Sequence, residues 1–252
     1  MMKKHLLTCS VILVLAIIFK LNICSTTAIK PAKKSNLTSK FIFTNNDAAT
    51  GYSFANEALP VNDATVNRKM RRTLLQHDYR KVQSNILHIK AERLFPIIEP
   101  ILRLYGIPDD FKYIPLVESG LDPGVSSKGA AGLWQFMPGT ARTYGLKVGK
   151  GIDERKNVRK STIAACKYIK ELYDEFNSWT LAAAAYNNGS IKLERAMNKQ
   201  NEDNYFRMHL NRETGAYIYN ILAMKEIIER PTAYGYSAVY SYVPKTQFLA
   251  YN

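Results

Sequence analysis

Apolar positions recur at helical rather than alternating intervals from about Val66 to about Glu229. Leu74, Leu75, Val82, Ile86 and Ile89 keep this spacing. A second helix is expected near 91–105, perturbed by Pro96 and Pro100 and stopped by Gly106. Pro108 suits a first helical turn, and Asp109 and Asp110 there complement the helix dipole. This third helix carries Phe111, Ile114, Leu116 and Val117 and ends near Gly120. A Gly/Ser-rich stretch, 120–132, follows. Pro138 then opens a short helix that Gly145 closes, and a longer one covers about Asn157 to Phe176. Ser178 caps a helix over Trp179–Tyr186 that Gly189 ends, and Arg212 to Glu229 form the last helix before Pro231. No long alternating strand occurs, although a short hairpin fits within 120–135. The expected fold class is mainly α, with a core domain over 66–230.

The two ends read differently. Lys3, Lys4 and His5 precede an apolar run from Leu6 to Phe19, which has the length of a signal segment rather than of a bilayer span. Small residues at Thr26, Thr27 and Ala28 place cleavage after Ala28; a lipid-modified Cys24 and an uncleaved anchor are the alternatives. Each route sends the chain out of the cytoplasm, to the periplasm or outer envelope. Residues 29–65 mix Lys, Asn, Ser, Thr and Ala and read as a linker or basic arm. The Tyr-rich tail, 231–252, shows no helical signal.

Charge sharpens this picture. The 252-residue chain has a net charge of +14. Residues 29–84 hold ten Lys and Arg against four acids, whereas 85–230 hold 21 against 17. The basic excess thus favours anionic surfaces outside the cell interior, such as membrane lipid or an acidic polymer. No nucleic-acid motif occurs. Cys166 is the one cysteine after residue 28, so no disulfide is expected; it falls on an apolar stripe with Ile163, Ile169 and Leu172 as a small buried hydrophobe. Neither His nor Cys has metal-ligand spacing, and no phosphate-cradling glycine motif is present, so no metal and no cofactor are expected. Without a GxSxG elbow, a serine triad has no support.

Carboxylate chemistry beside aromatics and amides remains. Glu118 follows an apolar helical face and sits at the negative end of its helix. Partial burial beside Leu116, Leu121 and Trp134 acts in the same direction, and both effects keep a carboxyl protonated near neutral pH. A general acid for glycosidic cleavage needs that state. Asp122, next to Pro123, reads as a turn residue rather than a nucleophile.

Four blocks surround this acid in order. They are Glu118-Ser119 with Ser127; Gly132 to Ala141; Ala185-Tyr186-Asn187-Asn188-Gly189; and Glu213-Thr214-Gly215-Ala216-Tyr217. Together they closely resemble the lytic transglycosylase family with a goose-lysozyme-like catalytic domain. Trp134 and the stretch from Phe54 to Pro60 look most like its membrane-bound lytic murein transglycosylase D group. The resemblance covers about 52–230 and implies a lysozyme-like helical domain.

It also implies roles. Glu118 matches the single catalytic acid/base, and Ser119 a residue that sets the catalytic helix against the site. Ser127, Gln135 and Met137 match positions lining sugar subsites. Tyr186 and Asn187 match the pair facing the scissile bond, and Glu213 with Tyr217 the last motif. Trp134 reads equally as core and as sugar contact. The implied reaction cleaves the bond between N-acetylmuramic acid and N-acetylglucosamine in peptidoglycan strands and closes a 1,6-anhydro ring. A hydrolytic muramidase of the same fold and a non-catalytic peptidoglycan-binding scaffold are the alternatives. Gly215 and Asn188 depart from the pattern common in the family. About twenty residues follow the last helix, so a monomer is expected to capture glycan by the groove itself, helped by the basic arm and by membrane association through the N-terminus.

Overall fold

The computed structural model describes residues 51–237. The expected signal segment, the arm up to 50 and the tail from 238 lie outside the described residues. The architecture is mainly α. Two ribbons of two short strands each, β1 (Ser53–Phe54) with β2 (Glu57–Ala58) and β3 (Val148–Gly149) with β4 (Ile152–Asp153), are antiparallel. Neither lies in the 120–135 stretch, where single bridges join Val125 to Ala131 and Ala131 to Phe136.

Helix α1 (Ala64–His77) starts at Asp63, whose carboxylate accepts from the backbone N–H groups of Thr65 and Val66. Its inner face buries Val66, Met70, Thr73 and Leu74. The expected run to Ile89 is interrupted. Asp78 caps a single turn, α2 (Tyr79–Val82), and Gln83 is left-handed with φ 50°. Helix α3 (Ile86–Leu104) then runs through both prolines without a break. Pro96 and Pro100 are four residues apart on the exposed side, so the carbonyls they orphan face water, while Phe95, Ile98 and Leu102 hold the other side in the core.

A 3-10 turn (Asp109–Tyr113) leads directly into α4 (Ile114–Ser119), which ends at left-handed Gly120. After the loop come α5 (Pro138–Thr143), α6 (Val158–Phe176), α7 (Trp179–Asn188), α8 (Ser190–Gln200) and α9 (Thr214–Glu229). Helix α6 packs on α3 and α7, and α9 packs on α1, α4 and α7. Helix α8 was missed by periodicity because only Leu193 of its residues is buried. Cys166 lies wholly inside α6, where burial pushes its thiol up to about 12. Lys112 and Glu99 form a buried ion pair at 2.8 Å between the 3-10 turn and α3. Removing one partner of such a pair typically costs about 3–5 kcal/mol.

Packing extends past the expected limits of 66 and 230. Phe54 and Leu59, assigned to the arm, are buried, and Phe54 stacks obliquely on Phe111 at 5.0 Å. Asp110 accepts from Ala55 N and from Lys225 Nζ, both at 2.8 Å. Glu57 reaches the start of α7, accepting from Ser178 Oγ and from the N–H groups of Trp179 and Thr180 at 2.6–2.9 Å. At the other end, Tyr236 is buried against His88 and donates to His77 O at 2.6 Å. Neither contact is visible as periodicity, because each side chain works alone.

Glu57 is therefore expected to contribute as a helix cap from a distant segment. Glu57→Ala should lower the unfolding free energy by about 1–3 kcal/mol, read as a drop in urea midpoint at unchanged slope. A midpoint equal to that of the native chain would reject the capping role.

Candidate active site

The short helix α4 exists to end where it does. Pro115 suits its first turn, Ile114 and Leu116 anchor it in the core, and Gly120 stops it. Glu118 and Ser119 thus occupy its last turn, both half-buried. Tyr217 on α9, itself buried, donates its hydroxyl to Glu118 Oε1 at 2.5 Å. Burial raises the Glu118 pKa from near 4.5 to about 7, the Tyr217 hydrogen bond opposes the rise, and the negative charge of Glu213 adds to it. Burial and the adjacent Glu118 charge in turn hold the Tyr217 and Tyr186 hydroxyls well above the ordinary tyrosine range.

Ser119 links α4 to the neighbouring loop. Its hydroxyl donates to Pro115 O at 3.0 Å and Leu133 O at 2.9 Å, tying α4 to the glycine-rich loop. Leu133 is followed by Trp134, whose ring is wholly buried and whose indole N–H donates to Thr162 Oγ1 at 3.0 Å. Of the two readings of Trp134, core and sugar contact, its side chain takes the first. Its backbone carbonyl is what faces the site, accepting from Tyr186 Oη at 2.7 Å. Gln135, left-handed at φ 48°, folds its amide back onto Gly132 O at 2.8 Å. Ser127 and Met137 are exposed on this loop.

Asn187 follows Tyr186 at the end of α7. Its amide donates to Glu213 Oε1 at 3.1 Å, and its carbonyl accepts from Thr214 Oγ1 at 3.0 Å. Glu213 is exposed and precedes α9 rather than opening it. The structure thus gathers Glu118, Tyr186, Asn187, Glu213 and Tyr217, from α4, α7, α9 and the residue just before α9. Asp122 is exposed and held by Gly124 N at 3.1 Å and Lys90 at 3.4 Å, as a turn residue.

Arg155 was not anticipated, because Asp153-Glu154-Arg155-Lys156 reads as a solvated charge run. It is buried, paired with Asp153, and its Nη1 donates to Gly129 O at 2.7 Å and Phe136 O at 2.9 Å. Gly132 passes so close to it that a Cβ there would lie 1.8 Å from Arg155 O, and its φ of +79° is left-handed. Arg155 and Gly132 together fix the loop that carries Gln135 and the Trp134 carbonyl. Tyr168 is a second omission, its ring 5.3 Å from that of Tyr186. Among the described residues, no group of His, Cys, Asp and Glu gathers as a metal site.

Part of the chain is similar to known proteins. Residues 96–208 match the Transglycosylase SLT domain. Over 155 residues, 58% of this chain, it is 34% identical to membrane-bound lytic murein transglycosylase D of Escherichia coli K12. The chain spans about a third of that relative's length, 34%. It is also 34% identical over 94 residues, covering 36% of this chain and 45% of the relative, to a putative tributyltin chloride resistance protein of Alteromonas. Among solved structures, the 70 kDa soluble lytic transglycosylase Slt70 of Escherichia coli aligns at TM-score 0.45 and 20% identity, over 69% of this chain and 31% of its own. An inactive mutant of lytic transglycosylase Slt from Pseudomonas aeruginosa aligns at TM-score 0.42 and 19% identity, over 60% and 26%.

Two outcomes follow from the geometry. Gly132→Ala should disrupt the loop and destabilise the fold by at least about 2 kcal/mol, seen as a lower melting temperature; a native melting curve would contradict the close approach. Glu118 keeps its proton in the folded state between pH 4.5 and about 7, while the unfolded chain releases it, so this group weakens folding as pH rises through that window. Glu118→Gln, which cannot ionise, should therefore gain stability over the native chain progressively from pH 4.5 to 8. A constant difference in melting temperature across that range would remove the raised pKa.

Proposed function

We propose that this chain is an exported peptidoglycan lytic transglycosylase that cleaves the β-1,4 bond between N-acetylmuramic acid and N-acetylglucosamine, with Glu118 as sole acid and base. The observation that carries this reading is the Glu118–Tyr217 pair, a carboxyl poised near pH 7 with one oxygen already occupied. With Oε1 accepting from Tyr217, the proton sits on Oε2, free to pass to the glycosidic oxygen as the C1–O bond breaks. The substrate's own acetamido oxygen covers the electron-poor C1. The carboxylate left behind then takes the C6 hydroxyl proton as that oxygen closes on C1, so Glu118 regains the proton it gave. Two-acid mechanisms need a second free carboxylate across the bond. Glu213 is engaged by Asn187, and Asp122 by Lys90 and its own turn, which supports a one-acid route.

The name of the E. coli relative, which calls it membrane-bound, and the apolar run from Leu6 to Phe19 support a chain held at the cell envelope through its N-terminus. Ser127, Gln135, Met137, Tyr186, Asn187 and Glu213 are assigned to glycan contact, with Tyr and amide groups suited to sugar faces and N-acetyl groups.

Digested peptidoglycan analysed by mass spectrometry tests the reaction. The expected fragments are one water lighter than hydrolytic products, and Glu118→Gln should reduce their release by about 10²–10⁴-fold. Activity on soluble glycan should also decline as pH rises through about 7, where the acid loses its proton. Products with reducing ends only would assign a muramidase, and binding without any cleavage a scaffold.

A further inference from the structure

The loop between α8 and α9 reaches into the helix that carries Tyr217. Tyr205, buried at 4% exposure, directs its hydroxyl onto the first turn of α9. That hydroxyl donates to Thr214 O at 2.6 Å and accepts from Ile218 N at 3.3 Å. A carbonyl and an N–H four residues apart are the two partners of one ordinary α-helical step. A single side chain therefore engages both members of the step that brackets Tyr217. A side chain seated on the helical ladder in this way sets the local course of the helix.

The grip is braced on both sides. Asn204, just ahead of Tyr205, accepts from Phe206 N at its side chain, at 2.9 Å, and from Met208 N at its carbonyl, at 3.2 Å. The Phe206 ring meets Tyr205 edge-on at 5.1 Å and Tyr219 of α9 at 5.9 Å. Thr214 is held from its other side, donating Oγ1 to Asn187 Oδ1 at 3.0 Å and its N–H to Asn211 Oδ1 at 2.9 Å. From this turn Tyr217 reaches Glu118 Oε1 at 2.5 Å. Its hydroxyl ends a long side chain, so a small rotation of the turn carries it off the carboxyl, and hydrogen bonds weaken steeply with misalignment.

We propose that Tyr205 is a positioning residue for Glu118: its hydroxyl fixes the first turn of α9 in the rotation that keeps Tyr217 bonded to the acid. The proposal rests on the reading of Glu118 as the reacting group and deepens it. Tyr205 touches neither Glu118 nor substrate; it acts through Tyr217. Without the hydroxyl, Thr214 O and Ile218 N are left to each other, the turn relaxes toward regular helix, and the Tyr217–Glu118 bond loosens. The groups that bear on the Glu118 carboxyl are Tyr217, Glu213 and Tyr186. Of these, the Tyr217 bond holds its proton affinity down, so loosening that bond should raise it.

Carbon-13 NMR titration of the Glu118 carboxyl in the full chain, its signal assigned by loss in Glu118→Gln, tests this. Tyr205→Phe removes the hydroxyl and keeps the ring. It should move the titration midpoint upward by about 0.5 to 1 pH and lower kcat on peptidoglycan by about threefold to tenfold with KM nearly unchanged. Tyr217→Phe should raise the midpoint at least as far, and adding Tyr205→Phe to it should raise it no further, because the two act along one route. Tyr236→Phe is the control for lost stability. It deletes an equally buried hydroxyl that donates to a backbone carbonyl, His77 O at 2.6 Å, away from α9. It should lower the melting temperature and leave the midpoint in place. An unmoved midpoint in Tyr205→Phe would overturn the proposal. So would an equal shift in Tyr236→Phe, or full additivity with Tyr217→Phe. The titration needs no turnover: a chain whose midpoint moves as expected but which leaves peptidoglycan intact keeps this proposal and loses the transglycosylase reading. A chain that cleaves with an unmoved midpoint does the reverse.

Discussion

One hydrogen bond organises the chemistry, that from Tyr217 to Glu118 across ninety-nine residues of sequence. It fixes which carboxyl oxygen is occupied and therefore which one can hold a transferable proton. It also joins the last turn of α4 to the first half of α9, so the acid is set by the packing of two helices rather than by a loop. Burial and the charge of Glu213 favour the neutral acid, and the tyrosine pulls the other way. The balance leaves a group that can both give and take a proton near neutrality. Such a carboxyl weakens the fold whenever it ionises, which is a common cost of function at a catalytic position.

A second constraint is the close backbone approach beneath that acid. Gly132 lies against Arg155 O, and the Arg155 guanidinium gathers carbonyls from both ends of the loop. Ser119 fastens α4 to the same loop, and Tyr186 fastens α7 to it through the Trp134 carbonyl. Trp134 is thus central in a way its residue type does not suggest: its ring supplies packing and a bond to Thr162, and its backbone supplies the contact at the site. The glycine-rich loop is consequently a fitted part between helices, with Ser127 and Met137 among its exposed side chains.

The site also depends on segments remote from it. The β1–β2 ribbon holds the start of α7 through Glu57 and reaches α9 through Lys225, the two helices that deliver Tyr186 and Tyr217. These contacts were not legible in sequence, because two-residue strands and a lone carboxylate have no period to detect. Arg155 escaped for a related reason: a buried arginine and a solvated one look alike until its partners are known. The helix ends that carry Glu118 with Ser119 and Tyr186 with Asn187 were legible, because the glycines that stop those helices lie within a few residues of them. Trp134 was half legible, since its burial could be inferred and its role could not.

Local sequence determined most of the helices, since apolar spacing, proline and glycine placement, and capping side chains act within a few residues of one another. It also determined the stock of usable chemistry: one carboxyl at a helix end, tyrosines and amides, and no metal-ligand spacing. Only the tertiary structure decided how that stock is used. The uninterrupted course of α3 through two prolines, the capture of 52–59 into the core, the meeting of α4 with α9, and the proton affinity of Glu118 all depend on residues far apart in the chain. Burial and charge at a point are sums over everything that packs there, and no short window of sequence contains those sums.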